Sequence, residues 1–325
     1  MRIFLSGVHG GSNPSPGVGI ARSLRIAFPD SHLTAVDYSP RSTGLLWEDF
    51  NNCVIRESWQ TVNMDHQLEF VKQTLDSGAL WISGLDLELR WLSERISHSN
   101  LPIPPLSALN SVSKPAEMVA SFFDFSVPPY LHLSASDDEL HSFCRTHGWP
   151  IWLKGPYYEA AALWSWAQLA VARNYMTSVW HTESQLFLQA HVHGQEKSIA
   201  FAAHNGRLLG SVGMEKLEKT SEGKTWSGRT SILDPNVHRC LDTLVGELVW
   251  SGGGEVECIE DPIGKIWIIE CNPRFPAWIH GATLAGTNLP GLLVEAITGN
   301  AHLRIRKTSH EFTRVVLEIP KLVEL

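Results

Sequence analysis

Apolar and polar positions alternate along the first hundred residues with two different periods. Residues 2–7 form a short apolar run closed by a glycine, a loop of Gly, Ser and Pro follows, and residues 18–28 carry apolar side chains at helical spacing. This pattern predicts a strand, a loop and a helix. It recurs: apolar stretches at 33–37, 52–55 and 79–83 read as strands, and amphipathic stretches at 65–76 and 86–97 read as helices. Strands that alternate with helices in this way predict a parallel, doubly wound α/β sheet.

The segment Leu101-Pro102-Ile103-Pro104-Pro105 breaks the pattern and predicts a domain boundary. Beyond it, residues 115–124, 136–147, 163–175, 236–250 and 289–298 read as helices. Residues 150–154, 186–192, 196–204, 207–213, 254–260 and 265–271 read as strands. Strands that follow one another directly predict an antiparallel α+β architecture for this part.

Composition narrows the function. Among 325 residues, 43% are hydrophobic and 18% charged, and no apolar run reaches the roughly 18 residues of a membrane helix, which excludes a disordered chain and a membrane partner. The net charge of -8 excludes a general binder of phosphate backbones, so no nucleic acid is expected. Cys53, Cys144, Cys240, Cys258 and Cys271 show no CxxC spacing, so they predict reduced thiols rather than a disulfide framework. The first apolar run is too short for a signal peptide, and the expected location is the cytoplasm. The loop after the first strand contains Gly17-Val18-Gly19 but lacks the third glycine of a dinucleotide fingerprint and lies about ten residues past the strand. The 13 tryptophans read as core residues or as the lining of an aromatic pocket.

The most informative segment is the pair of apolar runs around Asp261-Pro262-Ile263-Gly264. Glu257 and Glu270 lie on its two arms, and Asn272 follows two residues after Glu270. With an even-numbered turn, Glu257 and Glu270 share one face as a diagonal pair roughly 7 to 8 Å apart. Two carboxylates and an amide oxygen form a hard-oxygen set suited to Mg²⁺. Ile266 and Ile268 flank Glu270 on its own face while Trp267 and Ile269 cover the other, and a carboxylate on such a sheet needs a cation. Without metal, the two carboxylates are expected to repel each other.

These residues resemble the ATP-grasp superfamily, in particular the branch of biotin carboxylase and the carbamoyl-phosphate synthetase large chain, over nearly the whole chain. The series Glu257 … Ile268-Ile269-Glu270-Cys271-Asn272-Pro273-Arg274 is similar to the family's metal signature. The resemblance implies that Glu257, Glu270 and Asn272 hold Mg²⁺, with Mn²⁺ admitted in its place, and that Arg274 stabilises the reacting oxygens. Ser113-Lys114 and the strand-end Lys154 resemble the family's two phosphate-binding lysines. Gln189, Ala190, His191 and Val192 resemble its adenine hinge, with Glu196 on the ribose. His191 and His193 alternate on a strand but have no third ligand nearby and read as ordinary polar residues. Arg229, Trp278 and His280 flank the implied centre and are the substrate candidates.

The fold implied is an α/β N-terminal doubly wound, pre-ATP-grasp domain over 1–106, followed by an α+β ATP-grasp fold over 107–325, with a small lid over 107–190 and a larger subdomain over 191–325. The implied activity is an ATP-dependent carboxylate-amine ligase that forms an amide or peptide bond through an acyl phosphate on a small metabolite, amino acid or peptide, and a homodimer is admitted. One departure favours a second reading: after Lys154 the family's glycine-rich loop is replaced by Gly155-Pro156-Tyr157-Tyr158-Glu159, as a silent nucleotide-binding sensor or assembly protein would tolerate.

Overall fold

The computed structural model describes residues 1–9, 15–56, 64–155, 160–180, 185–220, 223–303 and 310–315. In chain order the elements are β1 (Arg2–Ser6), α1 (Gly17–Ala27), β2 (His32–Asp37), β3 (Asn52–Ile55), α2 (Met64–Asp76), β4 (Leu80–Ile82), α3 (Asp86–Ser93), α4 (Leu106–Ser111) and α5 (Glu117–Phe123). They continue with β5 (Tyr130–His132), α6 (Asp137–His147), β6 (Ile151–Lys154), β7 (Ala160–Leu163), α7 (Trp166–Trp180), β8 (Phe187–Ala190), β9 (Gln195–His204), β10 (Arg207–Lys219) and β11 (Thr225–Ser231). The last are α8 (Pro235–Glu247), β12 (Gly252–Glu260), β13 (Ile266–Asn272), α9 (Ile279–Leu284), α10 (Leu289–Thr298) and β14 (Glu311–Thr313).

Two units form. The first comprises Met1–Ser111, Lys197–Glu257 and Asn272–Leu325, and the second Val112–Glu196 and Cys258–Cys271. The Pro-rich stretch at 101–105 therefore lies inside the first unit. The reason is a shared core: Ile3 and Leu5 of β1 and Leu24 of α1 pack with Ala200, Ala202, Val212, Met214, Phe275, Trp278, Ile279 and Leu293, all nearly inaccessible to water. Burying these side chains, at about 1.5 to 3 kcal/mol for each of the larger ones and less for the two alanines, ties the N-terminal sheet to β9 and β10.

The first unit's parallel sheet has the strand order β3-β2-β1-β4, with β1 paired in parallel to both β2 and β4, as the alternating pattern predicts. Its second sheet runs through β9, β10 and β11 in antiparallel register. β10 extends to Lys219, six residues past the sequence expectation, because the charged segment Met214–Lys219 pairs with β11. The strands β5, β7, β11 and β14 and the helices α4 and α9 escape sequence reading because most are too short to show a period.

The second unit holds a four-stranded antiparallel sheet in the order β5-β8-β6-β7. Leu131, Ile151, Leu153, Leu163 and Leu188 face a core that α6 and α7 close with Leu140, Cys144, Leu169 and Met176. The entry of α6 is fixed by a capping box in which Ser136 and Glu139 satisfy each other's backbone N–H groups.

The hairpin tip departs from the expected even turn. Asp261 N–H donates to the Lys265 carbonyl at 2.9 Å, and Gly264 N–H to the Asp261 carbonyl at 2.9 Å, which leaves the three residues Pro262, Ile263 and Gly264 in the loop. Proline suits the first turn position, and Gly264 takes a left-handed φ of +85° that a side chain would resist. The Asp261 carboxylate completes the turn by accepting from the Ile263 and Lys265 amides at 3.0 and 2.9 Å.

The start of β12 is bare of side chains for a steric reason. A Cβ on Gly253 would come within 2.5 Å of the Phe275 ring, and one on Gly254 within 2.0 Å of the Phe201 ring. The two glycines thus face opposite sides, and Glu255 and Glu257 follow Gly253 onto the Phe275 side. Replacing Gly254 by Val should overpack this layer and lower the unfolding free energy by about 2 to 3 kcal/mol, read as a smaller urea midpoint at unchanged slope.

Candidate functional site

In the first unit, β12 carries its two acids onto the face where Trp278 and Asn272 meet them. Asn272 Nδ2 donates to Glu255 Oε2 at 3.2 Å and to Glu257 Oε1 at 3.4 Å. Trp278 Nε1 donates to Glu255 Oε1 at 2.8 Å, and the Lys216 ammonium of β10 donates to Glu257 Oε2 at 2.7 Å. Burial and the neighbouring Glu257 push Glu255 up to about 7, against the pull of Arg274 and Lys216. Sequence reading misses Glu255 and Lys216. The i, i+2 spacing Glu255-Val256-Glu257 is a usable signal for the first, whereas only strand pairing brings Lys216 in.

Arg274 is held from the N-terminal part of the same unit. Its Nε donates to Asp86 Oδ2 at 3.2 Å, and Nη1 to the Phe275 carbonyl at 3.2 Å. Both side chains of the ion pair are largely covered, at 14% and 10% exposure. Asp86, in the first turn of α3, is a further residue that no sequence signal singles out.

The three substrate candidates have separate surroundings. Trp278 is 4% exposed and stacks on Phe312 with ring centroids 6.2 Å apart, so its indole is a core residue whose polar edge serves Glu255. His280 lies against α1, with Nδ1 3.5 Å from Ser23 Oγ, and burial together with Arg22 holds its imidazole down at about 4. Arg229 on β11 is half exposed and pairs with Glu311 at 2.8 Å and Glu215 at 3.7 Å.

In the second unit the pleat sorts the sheet into two faces. Register pairs Tyr130 and Trp152 with Gln189, and His132 and Lys154 with Phe187, so these six residues share the face opposite α6 and α7. Lys154 is only 4% exposed there, and Gln189 2%. Gln189 Nε2 has no hydrogen-bond partner, a costly state for a buried donor unless a ligand satisfies it. The Ala190 N–H is already donated to the Pro129 carbonyl at 2.8 Å. His191 Nδ1 accepts from Trp152 Nε1 at 3.0 Å, which puts the proton of the neutral ring on Nε2. Glu196, the second residue of β9, is partly buried.

Lys114 and Glu270 meet in this unit, Nζ to Oε2, at 2.7 Å with 11% and 19% exposure. The expectation that unscreened carboxylates repel each other therefore does not hold for Glu257 and Glu270: each has its own lysine. Removing the charge of Glu270 would strand Lys114. Of the loop at 155–162 that suggests altered nucleotide handling, residues 160–162 are part of β7, paired with β6, and residues 156–159 lie outside the described residues.

Among the described residues, no group of three or more His, Cys, Asp or Glu side chains is arranged as a metal set. Glu255 and Glu257 converge on the Asn272 NH₂ group, and the Glu257 carboxylate with the Asn272 Oδ1 at the other end of that amide are hard oxygens of the type Mg²⁺ takes. The raised Glu255 marks more negative charge than the surroundings solvate, and a divalent cation would relieve it. The residues present fit the ion.

Two outcomes follow. Lys216→Met should strand Glu257 beside Glu255 and cost about 2 kcal/mol in urea unfolding, and adding Glu257→Gln should recover most of it. His280 is a base whose folded value lies below its ordinary one, so its contribution to stability is complete above about pH 6.5 and falls as protons bind the unfolded chain. The protein should lose about 2 kcal/mol from this group between pH 7 and 5, and His280→Gln should flatten that slope.

No family model matches the sequence, and no curated protein matches it. Solved structures do. The biotin carboxylase domain dimer of 2-oxoglutarate carboxylase from Hydrogenobacter thermophilus, in complex with MgADP, ADP and bicarbonate, aligns with a TM-score of 0.65 at 14% identity, over 95% of this chain and 71% of that one. N5-carboxyaminoimidazole ribonucleotide synthetase from Thermus thermophilus aligns with a TM-score of 0.63 at 16% identity, over 94% and 80%. L-amino acid ligase from Bacillus licheniformis aligns with a TM-score of 0.62 at 13% identity, over 93% and 74%. At such identities the likeness is one of architecture, and this chain has the ATP-grasp fold that these structures share.

Proposed function

We propose that this chain is an ATP-dependent ligase that joins a carboxylate to an amine through an acyl phosphate. The observation that carries the reading is the contact of Asn272 with Glu257, whose other oxygen is held by Lys216, on a chain with the ATP-grasp fold. A domain of this fold binds MgADP in the carboxylase from Hydrogenobacter thermophilus, and the same nucleotide chemistry is carried here to this chain. Glu257 and Asn272, with Glu270 two residues before Asn272 on the same strand, are the residues that would hold Mg²⁺. The ion, when bound, offsets the charge of the triphosphate, and Mn²⁺ is its expected substitute.

Each residue's task follows from its surroundings. Lys154, nearly buried on the face of the second unit's sheet away from α6 and α7, presents an ammonium to phosphate oxygens where water does not screen it. Gln189 offers its unsatisfied Nε2 on the same face to an acceptor on the purine, and Glu196 is assigned to the ribose. Lys114, paired with Glu270, is assigned to phosphate as well. Arg274, held in place by Asp86, stabilises the oxyanion that forms when the amine attacks the acyl phosphate. The carboxylate oxygen attacks the γ-phosphorus and ADP leaves; the amine then displaces inorganic phosphate and gives up a proton. This route needs no nucleophilic side chain. Small metabolites, amino acids and peptides are the proposed acids and amines, and a homodimer is the proposed assembly.

Hydroxylamine tests the intermediate. With the right acid, ATP and Mg²⁺, a hydroxamate should accumulate at the expense of the amide, seen by mass spectrometry over a panel of carboxylic acids. ADP release with neither hydroxamate nor condensed product would reduce the protein to an ATPase, and tight MgATP binding without turnover would favour the silent sensor. In the active case, Arg274→Met should lower turnover about 10²- to 10³-fold with a far smaller change in nucleotide affinity, the signature of an interaction made in the transition state.

A further inference from the structure

Glu255 takes no part in the reaction derived above, yet it is the most deeply buried acid of its cluster, at 4% exposure. Both of its oxygens are engaged, Oε1 by Trp278 Nε1 at 2.8 Å and Oε2 by Asn272 Nδ2 at 3.2 Å. That same Nδ2 lies 3.4 Å from Glu257 Oε1. A side-chain amide has one end that only donates and one that only accepts. With Nδ2 turned toward two carboxylates, Oδ1 is turned away from them. The flipped amide would press Oδ1 against two carboxyl oxygens, one of them on Glu257 beside the Lys216 ammonium, and leave its NH₂ group without either acceptor, so the network favours the orientation observed. Glu255 in turn is anchored on a rigid partner, because Trp278 is buried and stacked on Phe312.

We infer that Glu255 is a positioning residue that sets the Asn272 amide so that its oxygen, and not its NH₂ group, is offered to the divalent cation. The inference rests on the reading that Glu257 and Asn272 hold that cation, and it adds an acid that does not itself have to touch the metal. Glu257 alone would leave the amide with one acceptor and freedom to turn about its last torsion. Outer partners of this kind are generally worth 10- to 100-fold in metal affinity. A purely structural role would have the opposite signature, since it would change the unfolding midpoint and leave metal affinity alone.

The test is a Mn²⁺ titration followed by electron paramagnetic resonance in the presence of β,γ-imido-ATP, on the wild-type chain, Glu255→Leu and Glu255→Gln. Each is paired with a thermal unfolding curve without metal. Glu255→Leu should bind Mn²⁺ at least tenfold more weakly, with an apo unfolding midpoint no lower than wild type because a buried carboxylate is gone. Glu255→Gln keeps the length and one acceptor oxygen and should fall between the two. If Glu255→Leu does not fold, Glu255→Gln decides alone: weaker Mn²⁺ binding with an intact melt supports the inference. Wild-type affinity in the folded variants overturns it while leaving the cation reading in place. A wild-type chain that binds no Mn²⁺ overturns the cation reading itself, and the role of Glu255 with it.

Discussion

A buried carboxylate, Glu255, and a partly buried one, Glu257, on one strand are the constraint that the surrounding residues of the first unit answer. Glu255 and Glu257 follow a pair of glycines onto the face that Phe275 and Trp278 cover, where water cannot solvate them fully. An anion in such a place costs several kcal/mol unless positive charge or hydrogen-bond donors reach it. Lys216 comes from β10, the Asn272 amide from β13, and the indole N–H from just before α9. The sheet register, the close approach of Phe275 and the placing of Trp278 all serve that demand.

Ion pairs recur at the other residues that the proposed chemistry needs. Arg274 is held by Asp86 and Lys114 by Glu270. Each of these pairs is mostly covered, so its members have few rotamers left to lose when a ligand arrives. A phosphate or a cation that enters exchanges one charged partner for another rather than ordering a free side chain. The second unit's sheet follows a similar logic by different means, with helices on one face and an aromatic and polar face on the other that leaves the Gln189 amide nitrogen unsatisfied.

The hairpin turn shows where local chemistry overrides a simple count. Asp-Pro-Ile-Gly supplies a proline for the first turn position and a glycine for a left-handed one, and together they favour a three-residue loop. The diagonal pairing of Glu257 with Glu270 requires an even loop, so that argument does not survive. The contact between Asn272 and Glu257 is present all the same, within the first unit.

The sequence by itself determined the parallel N-terminal sheet, the helices α6 and α7 of the second unit, the late hairpin and the acid, amide and arginine series from Glu257 to Arg274, because period, turn residues and motif order are local properties of the chain. Only the tertiary structure decided which charges meet. Lys216 reaches Glu257 across 41 positions, and Asp86 reaches Arg274 across 188. Trp278 and His280, attractive as substrate contacts beside the motif, turn inward to Glu255 and to α1. Which face a side chain takes, and which charge it meets there, depends on strand register and on the core that β1, β9 and β10 share. Both are set by contacts between segments far apart in the chain.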